Sequence, residues 1–268
     1  MRIRRHLEEL SLRELSQRRE ALGKVLLSEG IKFSCEGSGS ITNFMFASEG
    51  DPSGSLFSAH YDNYRGSCGA NDNMASVCIL VDLCHALTAE KIRADFLLTD
   101  GEEDSYAGAE LFTTTYELKQ YSGIINLDLC GYGDSIVIQG RLPSFTARSL
   151  LKKHDAVIVK YLPESDDVVF RKYHVPTLSV SIVPKWDVQY LKALASFSEG
   201  ILGRPPEFFM ILSQMEITQT FHNGSKDSPE FVDELAMQKI HDYLLDAVMS
   251  RETTAKFSLK NLFKRCST

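Results

Sequence analysis

The chain has 268 residues, 43% of them hydrophobic, and a formal net charge of -7 at pH 7. That length and apolar content suffice for the core of one large α/β domain, and an acidic balance with no concentrated basic face argues against a nucleic-acid surface. No apolar run approaches membrane-span length, the basic N-terminal residues lead into charged helix rather than the apolar core of a signal peptide, and six cysteines without a CxxC pair suit reduced thiols in a cytoplasm. The expectation is a cytoplasmic protein without a membrane or nucleic-acid partner, acting on a small molecule or peptide.

Ser11 and Glu14 predict a capping box opening an amphipathic helix that runs to about Gly30, its apolar face marked by Leu12, Leu15, Leu22, Val25 and Leu26. Eight short β-type runs follow: IKFSC, TNFMFAS, SLFSAHY, ADFLLTD, GIINLDL, SIVIQG, AVIVKYL and TLSVSIV. Helical patterns alternate with them over 73–89, 106–120, 142–153, 186–198 and 229 to about 250. Such alternation predicts an α/β fold in a single domain, with a central, mostly parallel or mixed β-sheet and helices on both faces. From Gly200 to Phe231, two consecutive prolines and poor periodicity predict a long, partly ordered loop that walls a site. Its Phe208, Phe209, Met210, Ile211 and Leu212 suit an apolar substrate group, or equally a packed core element. After Arg251 the chain is basic, which predicts a solvated, frayed tail over 251–268 following a catalytic domain over 1–250.

Three strands deliver polar groups to one rim, where sheets of this kind bind ligands: SLFSAHYD ends in His60 and Asp62, ADFLLTDGEED in Glu102 and Glu103, and GIINLDL contains Asp128. Adjacent carboxylates at a buried strand end repel one another. A divalent cation bound by Glu103 resolves that and leaves Glu102 to take a proton from a metal-bound water, although GEED alone also reads as solvated loop acids. A zinc-binding imidazole is commonly oriented by a carboxylate on its other nitrogen, and Asp62, two residues from His60, is placed to serve. Asp72 precedes a helix and reads either as its N-cap or as a bridge between two metals. Asp128 and His222 complete an oxygen and nitrogen set suited to zinc. Cys68 and Cys130 fall near these residues.

The ordered set NFMFAS, SAHYDN, GANDNMAS, GEEDSYAGAE, NLDLCGYG and FHNGSKDS resembles the co-catalytic di-zinc exopeptidase family that includes bacterial leucyl aminopeptidases and, more distantly, glutaminyl cyclases. The resemblance covers roughly Asn43 to His222. It implies the zinc-dependent exopeptidase fold, with His60 and Asp128 on one zinc, Glu103 and His222 on the other, and Asp72 bridging the two ions. It also implies Glu102 as general base, Asp62 as the His60-orienting carboxylate, and Gly108 as the glycine after the glutamate pair. The implied activity is removal of the N-terminal residue from a peptide or small amide with a free N-terminus. A one-zinc aminoacyltransferase of the glutaminyl cyclase type is the alternative on the same fold. A non-catalytic binding protein is disfavoured, because such proteins usually lose a ligand or the base and this chain keeps all six residues. Three departures bear on substrate preference: the loop from Asp62 to Asp72 is short, Asp167 stands where many relatives carry His, and Asn223 follows His222, with Asp227 one place later than the family's Asp.

Overall fold

In the computed structural model, residues 3–141, 156–197 and 204–265 are described; the expected helix over 142–153 lies outside them. After a one-turn helix, α1 (Leu7–Leu10), the first long helix is α2 (Leu15–Ser28), and β1 (Phe33–Ser38), β2 (Ile41–Ala47) and β3 (Asp51–His60) follow. Then come α3 (Ala75–Ala89), β4 (Ile92–Thr99), α4 (Glu102–Ser105), α5 (Ala107–Thr115), β5 (Gly123–Leu127), β6 (Ser135–Arg141), β7 (Ala156–Ile158) and β8 (Thr177–Val183). All eight β-type runs of the sequence are strands, though the seventh pairs over only Ala156–Ile158.

The strands form one sheet in the order β1-β2-β4-β3-β5-β8-β6-β7. Its centre, β4-β3-β5-β8, is parallel, and antiparallel pairs join β2 to β4 and β6 to β8. The parallel register brings His60 opposite Thr99 and Ser58 opposite Asn126. The carboxyl ends of β3, β4 and β5 therefore open on the same edge, and the residues just past them converge. The central strands are buried on both faces, as continuous apolar runs require.

Helix α3 is buried along most of its length and packs between the sheet and the last helix, Glu234–Arg265. Its Val77, Leu80, Val81 and Cys84 belong to the main core, together with Leu22 and Leu26 of α2 and Met237, Ile240 and Leu244 of the last helix. Truncating one such leucine to alanine costs about 2–5 kcal/mol.

Several elements differ from expectation. Ser11 does not cap α2: it follows the end of α1 and its hydroxyl donates back to the carbonyl of Leu7, the first residue of that helix, and α2 begins at Leu15 without a side-chain cap. The chain needs two helices here because Leu7 and Leu10 must reach the core before α2 turns its own apolar face inward. The segment expected as loop carries a helix, Pro206–Leu212, and a 3-10 turn, Glu216–Thr220. A proline at N1 opens that helix, and Phe208 is buried in a second core while Phe209 and Met210 face solvent. The last helix spans Glu234–Arg265. Among the described residues, no helix is long and apolar enough to cross a membrane.

Gly108 shows how tightly the site-bearing turn is packed. A Cβ there would sit 2.4 Å from both Asn43 Oδ1 and the Asp100 carbonyl oxygen, within the pair of hydrogen bonds that ties β2 to the end of β4: Asn43 Nδ2 to Gly108 O and Asp100 N to Asn43 Oδ1. Gly108→Ala is expected to lower stability by about 1–3 kcal/mol; urea denaturation of the two proteins measures it.

Candidate metal centre

His60, the last residue of β3, is fully enclosed, and three carboxylates surround its ring. Nδ1 lies 3.3 Å from Asp62 Oδ1, and Nε2 lies 3.2 Å from Asp72 Oδ1 and 3.7 Å from Asp128 Oδ1. Despite these distances neither ring nitrogen makes a well-aligned hydrogen bond among the described residues, and Glu103 Oε1 and Asp128 Oδ1 are likewise buried without one. Two overlapping groups share the imidazole: His60, Asp72 and Glu103, and His60, Glu102 and Asp128, each with ligand atoms within 4.8 Å of one another. Both glutamates of the pair thus line the centre. His222 stands at the rim, its side chain 54% exposed and its Nε2 3.6 Å from Glu103 Oε2.

Each side chain is held by its own piece of fold. Asp62 lies beyond the end of β3, so its approach to His60 comes from the loop rather than from strand alternation. Its two oxygens accept the backbone N–H groups of Glu102 (3.2 Å) and Glu103 (3.1 Å), which couples the ends of β3 and β4. Asp72 is not a helix cap: α3 starts after it, in a turn with a cis Asp72–Asn73 peptide, and its Oδ2 accepts the His222 N–H at 3.1 Å. Asn73 Nδ2 donates to the Leu127 carbonyl and fixes this turn to the end of β5, next to Asp128.

Further residues hold the centre in place, and Arg18, Arg19 and Asp100 among them escape a reading of the sequence. Arg18, on α2, is completely buried and donates to the carbonyls of Leu12, Tyr61, Asp62 and Cys68. Burial brings its guanidinium down to about 10, against the opposing pull of Asp62, Asp227 and Asp72. The next residue, Arg19, pairs with Asp100 at 2.5 Å, and Asp100 also accepts from Thr42 N and the Tyr61 hydroxyl. Asp227 accepts the N–H groups of Asn71 (2.9 Å) and Asp72 (3.2 Å) and the Ser67 hydroxyl; its displaced position in the sequence still lets it hold the turn that carries Asp72. Asp166 and Asp167 are buried. Asp167 is paired with Arg171, while Asp166 accepts from the Thr99 hydroxyl and, among the described residues, leaves Oδ1 without a hydrogen bond. Cys68 contributes its carbonyl, and the buried Cys130 thiol lies near the Val180 carbonyl.

So many enclosed acids raise one another's proton affinity. Burial pushes Glu102 up to about 10; His60 opposes the shift, and Asp128, Asp166 and Asp72 add to it. Burial and Asp72 push Glu103 up to about 8, and burial pushes Asp166 up to about 7. For His60, burial alone would lower the pKa, but Glu102, Asp128, Asp62 and Asp72 outweigh it and hold the imidazolium well above its usual range. A divalent cation fits this donor set. It would satisfy the orphaned nitrogen and oxygen atoms and offset the mutual repulsion, and imidazole with carboxylates is a zinc-type combination.

A model of Peptidase family M28 matches residues 47–248, and the chain belongs to this metallopeptidase family. A vacuolar membrane protease of Schizosaccharomyces japonicus is 25% identical over 140 residues, 47% of this chain and 16% of that protein. Among solved structures, BSAP, a zinc aminopeptidase from Bacillus subtilis, aligns at 18% identity and TM-score 0.59 over 78% of this chain and 50% of its own. LapB from Legionella pneumophila aligns at 13% identity and TM-score 0.66, covering 92% and 70%. Porphyromonas gingivalis glutaminyl cyclase aligns at 13% identity and TM-score 0.63, covering 93% and 97%. These likenesses establish the fold; the chain spans about one sixth of the curated relative and half of BSAP.

The raised carboxyls set a pH dependence for the metal-free protein. Glu103, Glu102 and Asp166 have folded pKa values above the ordinary carboxyl values of 4.5, 4.5 and 3.8, so the native state binds more protons than the unfolded chain, and stability falls as pH rises. His60, also raised, acts with the same sign. Chelator-treated protein is expected to melt at a lower temperature at pH 8.5 than at pH 6, and saturating zinc should flatten that slope; thermal melts across the range with and without zinc check it.

Proposed function

We propose that the chain is a zinc aminopeptidase holding two metal ions, with His60 and Asp128 on one, Glu103 and His222 on the other and Asp72 shared. The observation that carries this reading is the pair of overlapping ligand groups centred on His60. Asp72 supports the shared role: Oδ1 faces His60, and Oδ2 is turned to the segment that carries His222. Zinc, when bound, supplies Lewis acidity toward the scissile carbonyl and acidifies a water molecule.

The remaining work falls to this chain's own side chains. Glu102 is the general base: its carboxylate takes the water proton and delivers it to the leaving amine. A carboxyl pushed upward by burial has the proton affinity that this task needs, and a bound dication beside it would draw that affinity back down. Asp62 holds the backbone of both glutamates and faces His60 Nδ1, so it orients base and ligand together. Asp166, with a buried oxygen beside this cluster that has no hydrogen-bond partner among the described residues, suits the positive α-amino group of a substrate. The partner is accordingly a peptide or small amide with a free N-terminus, and the five free thiols among the described residues suit a reducing cytoplasm.

A second reading is a one-zinc glutaminyl cyclase, favoured by the match in size: this chain and the Porphyromonas gingivalis cyclase cover 93% and 97% of each other. Metal analysis separates the two readings, because protein purified without chelator should carry close to two zinc ions per chain as an aminopeptidase and one as a cyclase.

Glu102→Gln should keep the metal while turnover falls about 10²-fold or more, whereas Glu103→Gln should lower metal occupancy; elemental analysis and steady-state assays distinguish them. In a matched pair of aminoacyl amides, an N-acetyl cap should reduce the rate far more than changes beyond the scissile bond. Equal or faster cleavage of the capped member would point instead to an endopeptidase or deacylase.

A further inference from the structure

The two histidines of the centre are supported in different ways. His60 is enclosed, with Asp62 against the nitrogen that points away from Asp72 and Asp128. His222 is exposed, and among the described residues its ring makes no hydrogen bond: Nε2 faces Glu103 at 3.6 Å, and the backbone N–H donates to Asp72. A metal-binding histidine normally takes its tautomer and orientation from a partner on its second nitrogen. What His222 has instead is aromatic contact. The Tyr64 ring stacks on the imidazole at 4.7 Å between centroids and 30° between planes, and Phe221 meets it edge-on at 5.0 Å.

Tyr64 is itself firmly placed. It lies on the short loop between Asp62 and Asp72, where the Ser67 N–H donates to the Tyr64 carbonyl and closes a turn. Asn63 Nδ2 donates to the carbonyls of Arg13 and Ser67, and the Arg13 side chain donates to the Gly66 carbonyl. Ser67 is bound to Asp227 on the far side of the His222 segment. The loop is thus pinned to the start of α2 and to residue 227, and Tyr64 rests on the ring between those anchors with 40% of its surface exposed.

We propose that Tyr64 is the positioning residue for His222: its stacked ring stands in for the missing hydrogen-bonded partner and sets how tightly the outer of the two zinc ions is held. This rests on the two-metal reading above. An exposed imidazole free to rotate loses binding energy when a metal fixes it, and stacking removes that freedom beforehand. The ring face does this work, so the phenol hydroxyl is dispensable.

The test is a zinc titration against a chromophoric chelator, with cobalt substitution as a spectroscopic readout, on the wild-type chain, Tyr64→Ala and Tyr64→Phe. The expected result is two zinc ions in the wild type, an outer site weakened about 10-fold or more in Tyr64→Ala with the inner site unchanged, and near wild-type affinity in Tyr64→Phe. The cobalt spectrum of Tyr64→Ala should lose the outer-site bands alone, and its metal-free melting temperature should match the wild type. Two sites of unaltered affinity in Tyr64→Ala would overturn the proposal and leave the two-metal reading standing. Parallel weakening of both sites, or failure of Phe to restore the outer one, would also overturn it by showing a general structural role. A wild-type chain that binds fewer than two ions would overturn the two-metal reading, and this proposal with it.

Discussion

Everything around the rim of this sheet depends on the negative charge packed against one buried imidazole. Asp62, Asp72, Glu102, Glu103 and Asp128 converge on His60 from three strand ends and two loops, and unscreened carboxylates at such distances repel strongly. The fold does not disperse them. It spends Arg18, Asn71, Asn73, Asp227 and several backbone amides on keeping them in place. A protein that needed only stability would replace such a group with apolar side chains; a centre held together against its own repulsion is built for a cation and for the proton chemistry beside it.

The supports are interlocked rather than parallel. Asp62 connects the end of β3 to the turn after β4, Asn73 connects the Asp72 turn to β5, and Asp227 connects that turn to the segment carrying His222. Each connection joins elements distant in sequence, so the relative placement of the polar groups is set by tertiary structure and not by any one loop.

The strands were legible because their apolar runs are short, β-rich and bounded by turn residues, and the parallel centre followed from the helices between them. The candidate site was legible wherever a carboxylate or histidine closed a strand. Other features were not. Arg18 sits in a helix whose pattern is otherwise amphipathic, and a lone arginine there reads as solvent-facing; only the loop folding back over it makes it a buried donor. Ser11 and Glu14 fit a capping box in spacing, yet the hydroxyl found a nearer carbonyl at Leu7. Asp166 and Asp167 look like solvated helix-start acids because burial and the partners Thr99 and Arg171 are supplied from elsewhere in the chain. The helix Pro206–Leu212 is too short for periodicity to announce it, and its packing is decided by Phe208 alone among its aromatic residues.

Arg18 and Arg19 lie upstream of residue 47, where the match to the M28 family begins. Two of the centre's supports therefore come from outside the segment that the family shares. Helix α2 is a brace inserted from outside it: Arg18 closes the loop after His60, and Arg19 clamps the aspartate just ahead of the glutamate pair. Trimming the chain to the shared segment would keep every candidate ligand and the base yet leave three backbone carbonyls and one buried carboxylate without these donors, so the limit of detectable kinship and the limit of the centre's supports fall at different places along the chain.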